Sequence, residues 1–364
     1  MNLFEELFMK VLFVDTAVSG HHVSYLSSLL CGESVEPVLV LPEKLKTFSG
    51  TQYLCKYDTS NGRTFRVYWK WINDVLKIAK KEQPDVIHFL YGDVFYRYFG
   101  VGLRLFKQYK TIVTLHWAKS KPIEIISTKM ICSQIDKVVV HSDYIKQSLK
   151  GYGVKNAEHI EYPQFNKHSI TKQNACRYWG LREDVPTILC MGNTRYDKGL
   201  DILLDALKSV NVPFQLLIAG KEESFDKGYI EKEASPYLDR VKLCLHFLSD
   251  EELANAFGVS DIVVLPYRLV FNGASGPLGE GVALEKCIVG PDHGTLGYTI
   301  RENHLGYTFE SENRESLAIV LNEALSMSFV MDDKYKSYRD SLDPKKFSEK
   351  YEDVYNSVNK NVGG

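Results

Sequence analysis

Short β-branched runs alternate with amphipathic stretches along this chain, and the alternation runs through a full set of strands and helices twice. In the first half, strands are predicted at Lys10–Asp15, Val38–Leu41, Val86–Leu90, Thr111–Leu115 and Lys137–Val140. Val23–Leu30, Trp69–Lys81, Tyr98–Tyr109 and Tyr144–Gly151 read as the intervening helices. The pattern restarts with a strand at Thr187–Met191, a helix at Gly199–Ser209, a strand at Phe214–Ala219 and a helix at Asp250–Phe257. Asp261–Leu265, Pro277–Glu285, Cys287–Gly290 and Glu315–Met327 continue it. Such alternation specifies parallel sheets covered by helices on both faces, so the fold class is α/β with two doubly wound, Rossmann-like domains. A length of 364 residues suits two cores better than one. The joint falls in the polar stretch Tyr162–Gln173, giving domains at 1–168 and 169–343. Residues 344–364 supply a lysine-rich amphipathic helix expected to cross back onto the first domain.

Composition narrows the setting. No apolar run approaches the roughly 20 residues that span a bilayer, and MNLFEELFMK carries glutamates where a secretory signal carries basic residues. Met9, followed by KVLFVD, reads as a second possible start. Seven cysteines lie scattered without a Cys-x-x-Cys pair, as expected of reduced thiols in a cytoplasmic protein. Residues 1–170 hold 22 Lys+Arg against 16 Asp+Glu, about +6, and the remainder 22 against 30, about −8. A basic first half can rest peripherally on an anionic inner-membrane surface or receive an acidic acceptor; chance distribution over solvated faces explains it equally. The positive charge is not gathered into an arginine-rich, aromatic-laced segment, so no nucleic-acid partner is expected.

Parallel sheets bind ligands beyond the C-terminal ends of their strands, and four loops there carry candidate chemistry. In TAVSGHH, Gly20 lets backbone approach a phosphate or sugar, or is a plain turn; one glycine is not a dinucleotide fingerprint. His116 follows the strand TIVTL, where it can donate to a substrate hydroxyl or phosphate or serve only the core. In MGNTRYDKG, Arg195 and Lys198 can grip a diphosphate and offset the charge that grows on a departing one. In NGASGPLGEG, Ser275 and Gly276 precede Pro277 and Leu278 at a helix start whose N–H groups suit an anion. Glu280 then sits in the first turn, to accept both hydroxyls of a ribose or merely to complement the helix dipole. No Asp-x-Asp occurs, so a metal clamp on phosphates lacks its usual ligands, and no metal or other cofactor is expected. No Gly-x-Ser-x-Gly elbow or Walker loop occurs either.

The order and spacing of MGNTRYDKGLDILLDAL, FLSDEELANAFGVSDIVVLPY, SGPLGEGVALEKCIVGPDHG and LGYTFESENRESLAIVLNEAL resemble the family 4 (group 1) retaining glycosyltransferases of the GT-B fold. PDVIHFL, TIVTLHW and VVVHSDYIKQSL in the first half also look familial. The resemblance implies two domains facing a cleft, with the acceptor on the first and a nucleotide-sugar donor on the second. Arg195 and Lys198 match the pair that holds the donor diphosphate, and Ser275, Gly276, Pro277 and Leu278 the loop and helix start that support it. Glu280 matches the second glutamate of the family's pair, which binds the donor ribose. His116 matches a histidine placed near the transferred sugar, and Gly20 the glycine loop between donor and acceptor. Asn272 stands where the first glutamate of the pair belongs, which changes the charge beside the sugar ring.

The implied reaction moves a sugar to an acceptor hydroxyl with retention, in bacterial surface polysaccharide or glycolipid assembly, the acceptor being a glycan or lipid-linked glycan. Domain closure would exclude water, and the leaving diphosphate would take the acceptor's proton. Two other readings stay open: a nucleotide-sugar epimerase, which needs acid and base carboxylates, and a non-catalytic nucleotide-sugar-binding partner, which Asn272 favours.

Overall fold

The structure, a computed structural model, describes residues 8–18, 21–32, 34–57, 64–117, 119–165, 170–271 and 273–359. Contacts divide the chain into one unit of residues 1–163 with 344–364 and a second of residues 164–343. The strands of the first are β1 (Met9–Val14), β2 (Val35–Leu41), β3 (Gln52–Leu54), β4 (Val86–Phe89), β5 (Lys110–Leu115), β6 (Lys137–Val140) and β7 (Ala157–His159). Those of the second are β8 (Thr187–Met191), β9 (Gln215–Ala219), β10 (Val241–Cys244), β11 (Ile262–Val264), β12 (Cys287–Pro291) and β13 (Gly306–Phe309).

The first sheet runs β3-β2-β1-β4-β5-β6-β7 and the second β10-β9-β8-β11-β12-β13. Pairing is parallel at each described step, as in Leu12↔Val38 and Phe13↔His88 around β1 and Ile188↔Leu216 and Ile188↔Ile262 around β8. Strand order reverses beside β1 and beside β8, the switch points where loops diverge and leave room for a ligand.

Period-two alternation explains both cores. Leu12 and Val14 point to one face, against Trp71, Ile72 and Val75 of the Phe65–Glu82 helix. Phe13 points to the other, edge-on to Tyr355 at 6.2 Å. In the second unit Leu189 and Met191 join Trp179 and Phe257, while Ile188 faces Leu203 and Leu207.

The final helix, Pro344–Asn359, packs into the first unit through polar as well as apolar contacts. His88 is wholly buried, so both ring nitrogens need partners. Nδ1 meets Tyr355 Oη at 2.9 Å and Nε2 meets Thr114 Oγ1 at 2.9 Å. Thr114 Oγ1 in turn lies 3.0 Å from Tyr351 Oη.

The predicted helix at Tyr98–Tyr109 is corrected. The structure has a short helix at Asp93–Tyr96 and a 3-10 turn at Leu103–Phe106. Between them Phe99, Gly100 and Gly102 have φ of 52°, 68° and 98°, left-handed values that a continuous helix excludes.

Candidate functional site

In the second unit, the loops after β8 and β11 carry the residues best suited to an anion. They touch at Gly199, whose φ is +65° and whose Cα lies so close to Pro266 that a Cβ would sit 2.0 Å from its carbonyl oxygen. That approach requires glycine. It brings Lys198 to Tyr267, with Nζ 3.7 Å from the ring centroid and 4.6 Å from that of Phe271. Ring quadrupoles attract the ammonium, yet burial and then the nearby Arg195 charge lower the Lys198 pKa to about 7. Arg195 caps the 3-10 turn Tyr196–Lys198 and donates from Nε to Asp197 Oδ1 at 2.9 Å. Asp197 thereby holds the guanidinium's orientation while partly countering its charge. The loop thus presents a fixed cation beside one whose protonation depends on what binds it.

Tyr267, buried like Ser275, leads to the third loop, their hydroxyls lying 3.4 Å apart. Ser275 caps the Gly276–Ala283 helix and accepts from Leu278 N–H at 3.4 Å. The helix starts one residue earlier than predicted, and its supply of N–H groups is smaller. Pro277 has none, and Gly279 donates back to the Ser275 carbonyl at 3.3 Å. Gly276, with the weakly engaged Leu278, supplies the amides toward an anion.

Glu280 is corrected too. With the helix starting at Gly276 it lies beyond the first turn, which contains no acidic residue. Complementing the helix dipole is therefore not its role. It is buried, and its Oε1 accepts from the Phe165 N–H at 2.7 Å, so part of its hydrogen-bonding capacity holds the chain entering this unit. Gly20 and Asn272 lie outside the described residues.

In the first unit His116 follows β5 as expected, but not as a donor to a substrate. Its Nε2 donates to the Leu90 carbonyl at 2.9 Å, and its ring stacks on Tyr91 at 4.0 Å. Burial lowers its pKa to about 4, so the ring is neutral near pH 7 and Nδ1 is left as an acceptor. On the other side of Tyr91 stacks His22, ring centroids 3.8 Å apart. His22 Nδ1 donates to the Asp15 carboxylate at 2.9 and 3.0 Å. Asp15, buried at the end of β1, also accepts from the Thr16 and Ala17 amides at 2.6 and 3.1 Å. Behind this stack Tyr25 donates to His141 Nε2 at 3.0 Å, because His141 Nδ1 is committed to the Ile160 carbonyl at 2.8 Å.

The structure therefore brings Arg195, Lys198, Ser275, Gly276, Pro277 and Leu278 together through Tyr267 at one sheet end, with Glu280 further along the same helix. His116 belongs to a separate aromatic and histidine cluster in the first unit. Sequence reasoning missed Tyr267, Asp15, His22 and Tyr91. Tyr267 follows strand β11 within LPYR and Tyr91 follows β4, so the strand-end rule that selected His116 also selects them.

A doubly wound pair of parallel sheets with ligand-type loops at the switch points defines an α/β protein of the GT-B fold. The family described as Glycosyl transferases group 1 matches residues 172–341, and Glycosyltransferase Family 4 matches residues 19–161. The chain belongs to the group 1, family 4, glycosyltransferases. An uncharacterized glycosyltransferase of Methanocaldococcus jannaschii is 26% identical over 189 residues, 52% of this chain and 49% of that protein. The chain thus matches about half the length of this curated relative. A glycosyltransferase structure from Rickettsia africae aligns at a TM-score of 0.77 with 19% identity, covering 98% of this chain and 100% of that one. The Anabaena HepE protein in complex with UDP and glucose aligns at 0.73 with 14% identity, over 96% and 100%. At these identities the structural likeness concerns the fold.

Proposed function

We propose that this chain transfers a sugar from a nucleoside-diphosphate-sugar to an acceptor hydroxyl, with retention at the anomeric carbon. The observation that carries the reading is Lys198, a lysine half-withdrawn from water against Tyr267, beside Arg195 and the Ser275-capped helix start. A buried lysine with a pKa near neutrality is destabilised in its charged form until an anion arrives. A pyrophosphate restores its proton, and the interaction grows as the sugar–phosphate bond breaks and charge collects on the leaving oxygen. Arg195, Lys198 and the Gly276 amide bear that charge. Ser275, Pro277 and Leu278 shape the helix start, and Glu280 takes the donor ribose. His116, through Nδ1, can accept from a hydroxyl presented to the first unit. The diphosphate oxygen receives the proton of the incoming hydroxyl, so the mechanism uses no nucleophilic carboxylate and no metal. That HepE was captured with UDP and glucose supports a nucleotide-sugar as the donor class.

The acceptor is a glycan or lipid-linked glycan of bacterial surface assembly, met with the first unit resting on the cytoplasmic membrane surface. The Pro122–Cys132 helix supports this contact. Ile123, Ile126 and Met130 are exposed at 59%, 50% and 44%, and their spacing places them on one stripe, with Lys121 and Lys129 exposed on the same helix and its entry. An exposed apolar stripe with flanking lysines suits an anionic lipid interface.

A thermal-shift series with uridine, guanosine and adenosine diphosphates tests the core of the proposal. One of them at 100 times its dissociation constant adds about 2.7 kcal/mol to stability. If none stabilises the protein, the donor site is wrong.

A further inference from the structure

At the free edge of the second sheet, the end of β10 places a thiol, an imidazole and a carboxylate within reach of one another. Cys244, the last residue of β10, is 5% exposed, and its carbonyl accepts from Gly220 N–H at 2.9 Å. Gly220 is itself packed so tightly that a Cβ there would sit 2.2 Å from the Gly192 carbonyl, so the thiol rides on a rigid strand end. Two residues on, His246 returns toward it. Its Nε2 lies 3.6 Å from Cys244 Sγ and 2.7 Å from Glu252 Oε1, and Sγ lies 4.0 Å from the same oxygen. Glu252 is fixed from behind, since its Oε2 accepts from Ser249 N–H at 2.8 Å in the capping box that starts the Asp250–Val259 helix.

We propose that Cys244, His246 and Glu252 bind one divalent transition-metal ion, zinc by the chemistry of the donors, separately from the donor-sugar machinery. Zinc takes sulfur at about 2.3 Å and nitrogen or oxygen at about 2.0–2.2 Å, so tetrahedral ligand atoms stand roughly 3.3–3.7 Å apart. The Sγ–Nε2 separation already meets that spacing, and Sγ–Oε1 needs to close by a few tenths of an ångström. Nε2 and Oε1, 2.7 Å apart, must part by at least about 0.6 Å, and the His246 ring must turn to aim its lone pair. Its side chain is 59% exposed and has the room. A thiolate with an imidazole selects zinc over magnesium or calcium, which prefer oxygen alone. The Oε2 bond to Ser249 orients the ligand oxygen, as outer contacts do in metal sites. On binding, the Cys244 S–H bond breaks, the electron pair goes to the metal and the proton passes to solvent. Burial and then the Glu252 carboxylate raise the thiol's pKa, a penalty that a cation on the same atoms reverses. Three protein ligands leave a fourth position, on the exposed His246 side, for water. The ion pins the 245–249 connection between the strand end and the following helix.

The test is metal binding to the whole chain, stripped with chelator and then titrated with Zn²⁺ against a chromophoric competitor and with Co²⁺. The expected result is one equivalent of zinc and a thiolate-to-cobalt absorption band. Cys244→Ser removes the band and weakens zinc at least about 10-fold. Glu252→Gln preserves the capping box, and hence the fold, while weakening zinc by at least a similar factor. Cys31→Ser, at an exposed thiol elsewhere, changes neither reading. Failure of the wild-type chain to hold one equivalent, or wild-type affinity in both Cys244→Ser and Glu252→Gln, overturns the site. Either outcome leaves the diphosphate-binding test untouched.

Discussion

The hydroxyls of Tyr25 and Tyr351 meet at 2.6 Å, joining residues 326 positions apart inside one buried network. That network rests on neutral histidines. Burial lowers His88 to about 3 and His116 to about 4, and His141 shifts in the same direction for the same reason. In the unfolded chain each titrates near 6.5. Below that value the unfolded state binds protons that the folded state refuses, so stability present at neutral pH is lost as pH falls toward the folded values. The slope reaches about 1.4 kcal/mol per pH unit for each histidine.

The first unit should therefore lose its tyrosine near-ultraviolet dichroism at a lower temperature with each step from pH 7 to pH 5. A melting temperature independent of pH over that interval contradicts the neutral-histidine network.

Much of this was legible in the sequence, and the failures share a cause. Strands β1, β5, β6 and β8 announce themselves because each is an apolar, β-branched run. Strands β3 (QYL), β7 (AEH) and β10 (VKLC) lack such a run. They lie at or beside sheet edges and become strands because a neighbour supplies the hydrogen bonds, a tertiary effect beyond local pattern. Arg195, Lys198 and Ser275 were found by the strand-end rule. Tyr267 stands at the same kind of strand end, but only the contact at Gly199 shows Lys198 resting on it. Glu280 moved out of the first turn because the Ser275 side chain starts the helix at Gly276. His116 changed from donor to acceptor because Leu90, from the neighbouring strand's end, takes its N–H.

The loop contact gives a second prediction. Gly199→Ala combines a positive φ with an overlap against Pro266 that cannot relax without moving backbone. The strain costs more than about 1 kcal/mol, which lowers the melting temperature of a unit this size by roughly 2–4 °C or more. Diphosphate binding weakens in the same variant, because Lys198 shifts with its neighbour. An unchanged melting curve shows that the loops do not meet as described.

Ile126→Glu places a carboxylate in the middle of the exposed stripe of the Pro122–Cys132 helix, at a position already 50% exposed, so folding is unaffected. Sedimentation with vesicles containing anionic lipid should retain the wild-type chain and release this variant, with at least a few-fold loss of bound fraction. Equal binding by both chains removes the helix from any membrane contact.

The last prediction concerns Lys198 itself. With its pKa lowered to about 7, the free protein loses the ammonium as pH rises from 7 to 9. A diphosphate must then bring a proton with it, so affinity falls by up to about tenfold per pH unit over that range. For folding the sign is opposite. A lysine whose charged form is disfavoured in the native state works against stability at low pH, and that opposition fades as pH rises from about 7 toward the unfolded lysine's value of about 10.4. Lys198→Met, which keeps the apolar packing on Tyr267, should raise the melting temperature of the ligand-free protein at pH 6. It should also flatten the pH dependence of diphosphate binding, and Lys198→Ala should lower turnover at least about 100-fold. Calorimetric titration of a nucleoside diphosphate at pH 7 and pH 9 reads the central quantity. If wild type and Lys198→Met bind alike at pH 7, the lysine does not hold the leaving group.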